Sequence, residues 1–258
     1  PAHELAIDVF DGDERIRSLK RLYDLGGDAA YGPKMRADIR VDLAQAAHAN
    51  EQNRHALTYL NEANELGRNE LWSGIYEKVV TALGDEEALA EHLLNDNILG
   101  HKGYSPTEKR ERLAKAAQIF KTKQRHHKLL EVLFAQLALE PNEKTLRHEL
   151  IDTAQRAESL EQFSGMAEEL CRDLLNESER VSLYHYFAQA LESRLELPED
   201  AHHLLMAGTQ DTCSIELAGL LCQGATPVQY GAVIGTMMHC ANEASDDDRL
   251  EFLTLAAR

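Results

Sequence analysis

The feature that most constrains this chain is a spacing of apolar residues at three- and four-residue intervals that recurs in pairs. The run from Arg36 to Leu66 shows the unit. Ile39, Leu43, Ala44 and Ala47 form one stripe, Asn50-Glu51-Gln52-Asn53 interrupt it, and Ala56, Leu57, Leu60 and Ala63 form a second. Apolar residues at this period mark the buried faces of amphipathic helices, and nothing in the chain alternates like a strand. Two such helices joined by a polar turn form a hairpin that needs stacked neighbours to bury both of its faces.

The same offsets recur. With Leu43, Ala44, Ala47 and Ala56, Leu60, Ala63 as template, they fall on Ile75, Tyr76, Val79 and Ala88, His92, Asn95. They fall next on Ala116, Ala117, Phe120 and Leu129, Leu133, Gln136, then on Leu150, Ile151, Ala154 and Phe163, Ala167, Leu170. Tyr186, Phe187, Ala190 and Ala201, Leu205, Gly208 follow after a slightly longer turn. Leu217, Ala218, Leu221 pair with Tyr230, Ile234, Met237, and Ala6, Ile7, Phe10 with Leu19, Tyr23, Gly26 at the start. The repeat length is near the roughly 34 residues of helix-pair arrays. Units are predicted over 1–34, 37–68, 69–102, 110–143, 144–177, 180–210 and 211–244, with a final helix over 246–258. Two Gly/Pro-rich segments, Leu25 to Pro33 and Leu99 to Pro106, fall between units and are expected to interrupt helices. Ser105 or Thr107 with Glu108 would restart a helix, and Asp13 would cap the one through Ile16.

This pattern resembles the tetratricopeptide repeat family along nearly the whole chain. Trp72 stands three residues before Ile75-Tyr76, where the family favours Trp, and Leu137-Ala138-Leu139-Glu140-Pro141-Asn142 is similar to the family's helix-ending segment. Asn95 and Gln136 depart from the family's Ala, and most units lack its turn-closing Pro, which leaves the exact repeat class among α-solenoids open. The resemblance implies an all-α fold: a right-handed superhelix (α-solenoid) of about seven antiparallel helix pairs plus a final helix. It also implies a protein-protein interaction scaffold that binds a peptide or partner subunit along a concave face lined by the first helix of each pair.

Composition narrows the partner. With 258 residues, 43% hydrophobic and 28% charged, the chain can bury a continuous core. Its net charge of −17 argues against a nucleic acid or an anionic membrane surface, so a charged partner is expected to be basic or mixed. The uncharged stretch from Leu217 to Asn242 is broken by Gln223, Thr226, Pro227, Gln229 and His239, short of the roughly 18 apolar residues of a membrane span. No signal peptide opens the sequence, so a cytoplasmic location is expected. The missing initiator Met and the apolar pattern at the other end predict a segment of a longer protein.

Catalytic constellations do not assemble. Neighbouring histidines such as His126-His127 and His202-His203 point about 100° apart on a helix and cannot share an ion. His148-Glu149-Leu150-Ile151-Asp152 begins like a zinc H-E-x-x-H motif but ends in Asp. Glu199 to His202 is one E-x-x-H where a di-iron bundle needs two. Asp247-Asp248-Arg249-Leu250-Glu251 resembles a magnesium-diphosphate motif without its second half, and a helix capped by Ser245 accounts for it better. The four cysteines, Cys171, Cys213, Cys222 and Cys240, form no C-x-x-C pair. Gly219, Gly224, Gly231 and Gly235 are read as close-packing positions. The basic stretch around Lys109-Arg110-Glu111-Arg112 and Lys121, Lys123, Arg125, Lys128 is read as a paired helix face. No enzyme, cofactor or metal is therefore expected.

The concave-face contacts that the resemblance implies are Gln45 and His48, Ser73 and Glu77, Gln118 and Lys121, His148, Asp152 and Gln155, Tyr184, His185, Leu191 and Glu192, then Ile215 and Glu216. The Lys and Asn clamp with which the family's chaperone-binding members hold a C-terminal carboxylate is absent at the corresponding places. A basic or mixed segment fits better. Two other classes remain: a ligand- or peptide-sensing module controlling an attached effector domain, which needs a closed apolar pocket, and an all-α enzyme, which needs convergent carboxylates and histidines in one cleft.

Overall fold

The computed structural model describes residues 14, 16–21, 32–98, 103–157 and 160–257, and every regular element among them is an α-helix. After a helical stretch at 16–21 come α1 (Pro33–Ala49), α2 (Asn53–Leu66), α3 (Trp72–Leu83), α4 (Glu86–Ile98), α5 (Pro106–Thr122), α6 (His126–Leu139) and α7 (Lys144–Ala157). They continue as α8 (Leu160–Asp173), α9 (Glu177–Ser193), α10 (Pro198–Thr212), α11 (Ile215–Gly224), α12 (Tyr230–Glu243) and α13 (Asp246–Ala257). Packing groups the chain into two units, Pro1–Ile119 and Phe120–Arg258, each described by itself. The expected Asp13 cap, the first stripe at Ala6, Ile7 and Phe10, and Tyr23 and Gly26 lie outside the described residues.

In the first unit, the described ends of both Gly/Pro-rich segments are helix starts, as expected for the one at Ser105 and Glu108. Pro33 opens α1 behind Gly32, at a position where its missing N–H is no loss. Pro106 likewise opens α5 behind Ser105. There the Glu108 carboxylate accepts the Ser105 backbone N–H at 2.8 Å while the Glu108 N–H reaches Ser105 Oγ at 3.3 Å, a reciprocal capping box. The polar break at 50–53 is a turn in which Glu51 takes the left-handed conformation (φ 61°). Alanines 37, 44, 46 and 47 of α1 and 56 and 63 of α2 are buried, which lets the two helices approach closely. Trp72 closes this core, its indole N–H donating to the Leu60 carbonyl at 2.7 Å and its ring stacked on Tyr76 at 4.8 Å. In α4 the expected stripe is displaced. Leu89, Ala90, Leu93 and Leu94 are buried, Ala88 is half-buried and Asn95 is exposed.

In the second unit Phe134, Phe163 and Phe187, from α6, α8 and α9, meet with ring centroids 5.4 to 5.9 Å apart. The expected stripes of α7 and α8 are buried throughout. In α12 Met237 is buried while Tyr230 and Ile234 are exposed. The expected close-packing glycines are a correction: a methyl group added at Gly219, Gly224, Gly231 or Gly235 would meet nothing within 4 Å. The close approach is at Gly208, where a Cβ would lie 2.6 Å from Tyr184 Cγ and 3.0 Å from Leu217 Cδ1. No helix among the described residues is long and apolar enough to cross a membrane.

Candidate functional site

Helical spacing builds a buried polar cluster in the first unit. Ser73 and Glu77 lie one turn apart on α3, His92 and Asp96 one turn apart on α4, and α5 adds Arg112. The Ser73 hydroxyl donates to Asp96 Oδ2 at 2.7 Å and lies 3.0 Å from His92 Nε2. Tyr104, from the segment before α5, donates to the same Asp96 oxygen at 2.9 Å. Arg112 bridges both acids, with Nη1 2.6 Å from Glu77 Oε1 and Nη2 3.2 Å from Asp96 Oδ2, while its guanidinium stacks on Tyr104 at 4.4 Å.

Glu77, His92 and Asp96 offer ligand atoms within 4.8 Å of one another, the geometry of a cation site. The Arg112 guanidinium, however, supplies the positive charge and two donors to the same carboxylates, so a metal ion would have to displace it. Burial pushes both carboxyls up. Hydrogen bonds from His92 and Arg112 and the Arg112 charge win at Glu77 and hold it at about 2. Bonds from Ser73 and Tyr104, with the charges of His92 and Arg112, likewise lower Asp96. The cluster is an internal clip across α3, α4 and α5, with Arg112 Nε buried and without a hydrogen-bond partner among the described residues, and Glu77, expected on an open face, is engaged inside it. Sequence reading missed Asp96, Tyr104 and Arg112; the signal was the pair of i,i+4 polar couples on facing helices.

The other concave-face candidates of this unit, Gln45 and Gln118, are exposed, and His48 bonds Asn53 Oδ1 at 2.7 Å.

In the second unit the candidates separate. Lys121 pairs with Glu149 at 2.7 Å, His148 meets the Tyr186 ring edge-on at 6.4 Å, and Asp152 pairs with Arg194 at 2.6 Å. The near-motif His148-Glu149-Asp152 therefore sends its three polar groups to three different partners. Gln155 donates to the Arg194 carbonyl at 2.9 Å. Tyr184 and Leu191 are a correction. Both are fully buried, Tyr184 against Gly208, so neither faces a groove. Burial raises the Tyr184 pKa, and its hydroxyl has no partner among the described residues. Ile215 is half-buried and packs toward the core of α11, α12 and α13.

The residues that do line open space on α9 are one step around the helix. Glu177, Ser178, Val181, Ser182, His185, Tyr186 and Gln189 form, with Ser214, the N-cap of α11, and Glu216 of α11, a cleft of about 760 Å³. His185 and Gln189 also border a second cleft of about 350 Å³, which runs past Glu192 to α10 (Pro198, Ala201, His202, Leu205) and α11 (Leu220, Gln223, Gly224). His185 Nδ1 sits 2.8 Å from Glu216 Oε1 and spans the two helices.

No protein-family model matches the chain, and no curated protein matches it significantly. The candidate site therefore stands on its own geometry. Cys240 Sγ donates to the Thr209 carbonyl at 3.3 Å, and burial with Cys213 beside it pushes the thiol up to about 12. A third cleft of about 310 Å³ lies between Cys222, Tyr230, Val233, Ile234 and Leu255.

Proposed function

We propose that this chain is a right-handed superhelix of tetratricopeptide-like pairs, about seven plus a final helix, that works as a scaffold for a peptide or partner subunit. The observation that carries the reading is the pair of adjoining clefts along α9, which share His185 and Gln189, are bounded by α11 and reach α10. Both α9 and α11 are first helices of predicted pairs, the elements the resemblance assigns to the concave face. The alternation of helices also supports it: α1/α2, α3/α4, α5/α6, α7/α8, α9/α10 and α11/α12 fall within a few residues of the expected units, and α13 begins at Asp246. A sensing module would need a closed apolar pocket, whereas these clefts open to solvent and mix glutamine, histidine and glutamate with alanine and leucine. In the first cleft His185 is bonded to Glu216 and the Ser214 hydroxyl accepts the Leu217 N–H as a helix cap, an arrangement that supports binding more than catalysis.

A photoreactive residue at Gln189, exposed in both clefts, against one at Glu169, exposed on α8, tests the reading. Discrete adducts from extract at Gln189 and none at Glu169 are expected. Equal labelling at both, or none at either, would overturn the groove assignment.

A further inference from the structure

We propose that the cleft between α9, α10 and α11 is a subsite for a basic side chain, lysine or arginine, of a peptide lying along α9; this rests on the peptide-binding reading above. Two independent observations point there. The first is His202, only 8% exposed, which lines the cleft and whose two ring nitrogens have no hydrogen-bond partner among the described residues. An unmet buried polar group is costly, and a ligand supplying the missing bond recovers that cost. Burial, with His203 next to it, lowers the His202 pKa, so at neutral pH the ring is uncharged and offers a lone pair to an incoming N–H. Both ring nitrogens lie beneath the surface, and a half-turn about Cβ–Cγ, which exchanges ring nitrogens and carbons without moving the backbone, is the movement that would present one to a donor in the cleft.

The second observation is charge. Glu192 stands at this cleft, Glu177 and Glu216 at the adjoining one, and no lysine or arginine lines either. An anion, whether a carboxylate tail or a phosphate, would meet three glutamates and no lysine or arginine. A purely apolar anchor would leave Gln189, Gln223 and His202 without partners. A long basic side chain satisfies both walls. Its methylenes lie along Ala201, Leu205 and Leu220, and its charged head reaches Glu192, the two glutamine amides and the His202 lone pair. Cationic segments are also what a chain of net charge −17 attracts over distance.

The test uses the whole chain and a capped peptide library randomised except at one position, fixed as arginine, lysine, citrulline or norleucine. Retained arginine and lysine pools are expected to exceed the citrulline and norleucine pools by about tenfold. That preference is expected to fall about fivefold in Glu192→Gln, the scale of a partly exposed ion pair. Because His202→Phe alters a buried position, Gln223→Leu at an exposed one serves as the second variant and is expected to weaken the same preference. Binding of the arginine pool is also expected to shift the His202 imidazole nitrogen resonances. If all four pools are retained equally, or the His202 resonances stay fixed, the subsite is overturned while the scaffold reading stands. If no pool is retained and Gln189 yields no adducts, both fall.

Discussion

At the level of single residues, the second unit turns on a glycine and the first on an arginine. Gly208 exists so that the Tyr184 ring can lie against the α10 backbone. Gly208→Ala would gain about 1 kcal/mol of helix propensity but force an aromatic ring that has no free space, an overpacking cost of about 1 to 3 kcal/mol. A net loss is expected in urea denaturation, and an unchanged or higher midpoint would refute the close-approach account. Tyr184→Ala is expected to cost about 3 to 5 kcal/mol by leaving a cavity, so it cannot serve as a groove variant. In the Arg112 clip, the Glu77 carboxyl is held below its ordinary value, so its contribution is present above about pH 4.5 and is lost as pH falls towards about 2. The linked stability is of order 2 to 3 kcal/mol. Glu77→Gln is expected to be less stable at pH 7 but to lose less on acidification over that window. Parallel pH–stability curves for the two proteins would show that the clip does not hold.

At the level of elements, helix ends were legible where their chemistry is local. The capping box at Ser105 and Glu108 needs only four consecutive residues, and Ser105→Ala is expected to cost about 1 kcal/mol while Ser105→Asp retains most of the stability. Equal thermal midpoints for all three proteins would mean the cap is idle. The cross-helix ion pair Asp152–Arg194 is the opposite case. Both side chains are more than a third exposed, so a double-mutant cycle is expected to return about 1 kcal/mol or less. Asp152→Lys therefore changes surface charge without endangering the fold. Helix faces were harder to read than helix ends. Adjacent residues differ by about 100° around the axis, and on α9 Tyr184, Tyr186 and Phe187 are all aromatic, so their order along the chain does not say which turns inward. Packing against Gly208 decides it: Tyr184 goes in, and Tyr186 lines the cleft.

At the level of the whole molecule, an excess of 44 acidic over 27 basic residues makes self-repulsion a general term. Added salt is expected to raise the thermal midpoint by a few degrees from low ionic strength while weakening any basic peptide in the α9 clefts. Salt that stabilised both would contradict the charge argument. By itself the sequence determined that the described chain is helical and pointed to helix starts such as the one at Ser105, because periodicity, caps and turn residues act between near neighbours. Its net charge of −17 is the ground on which a basic or mixed partner is proposed. Only the tertiary structure decided that Glu77 joins an internal clip with Asp96 and Arg112, that Tyr184 and Leu191 are core, and that His202 is buried without a partner beside a cleft. Those outcomes depend on side chains brought together from different helices. No spacing along one chain carries that information until the helices have packed.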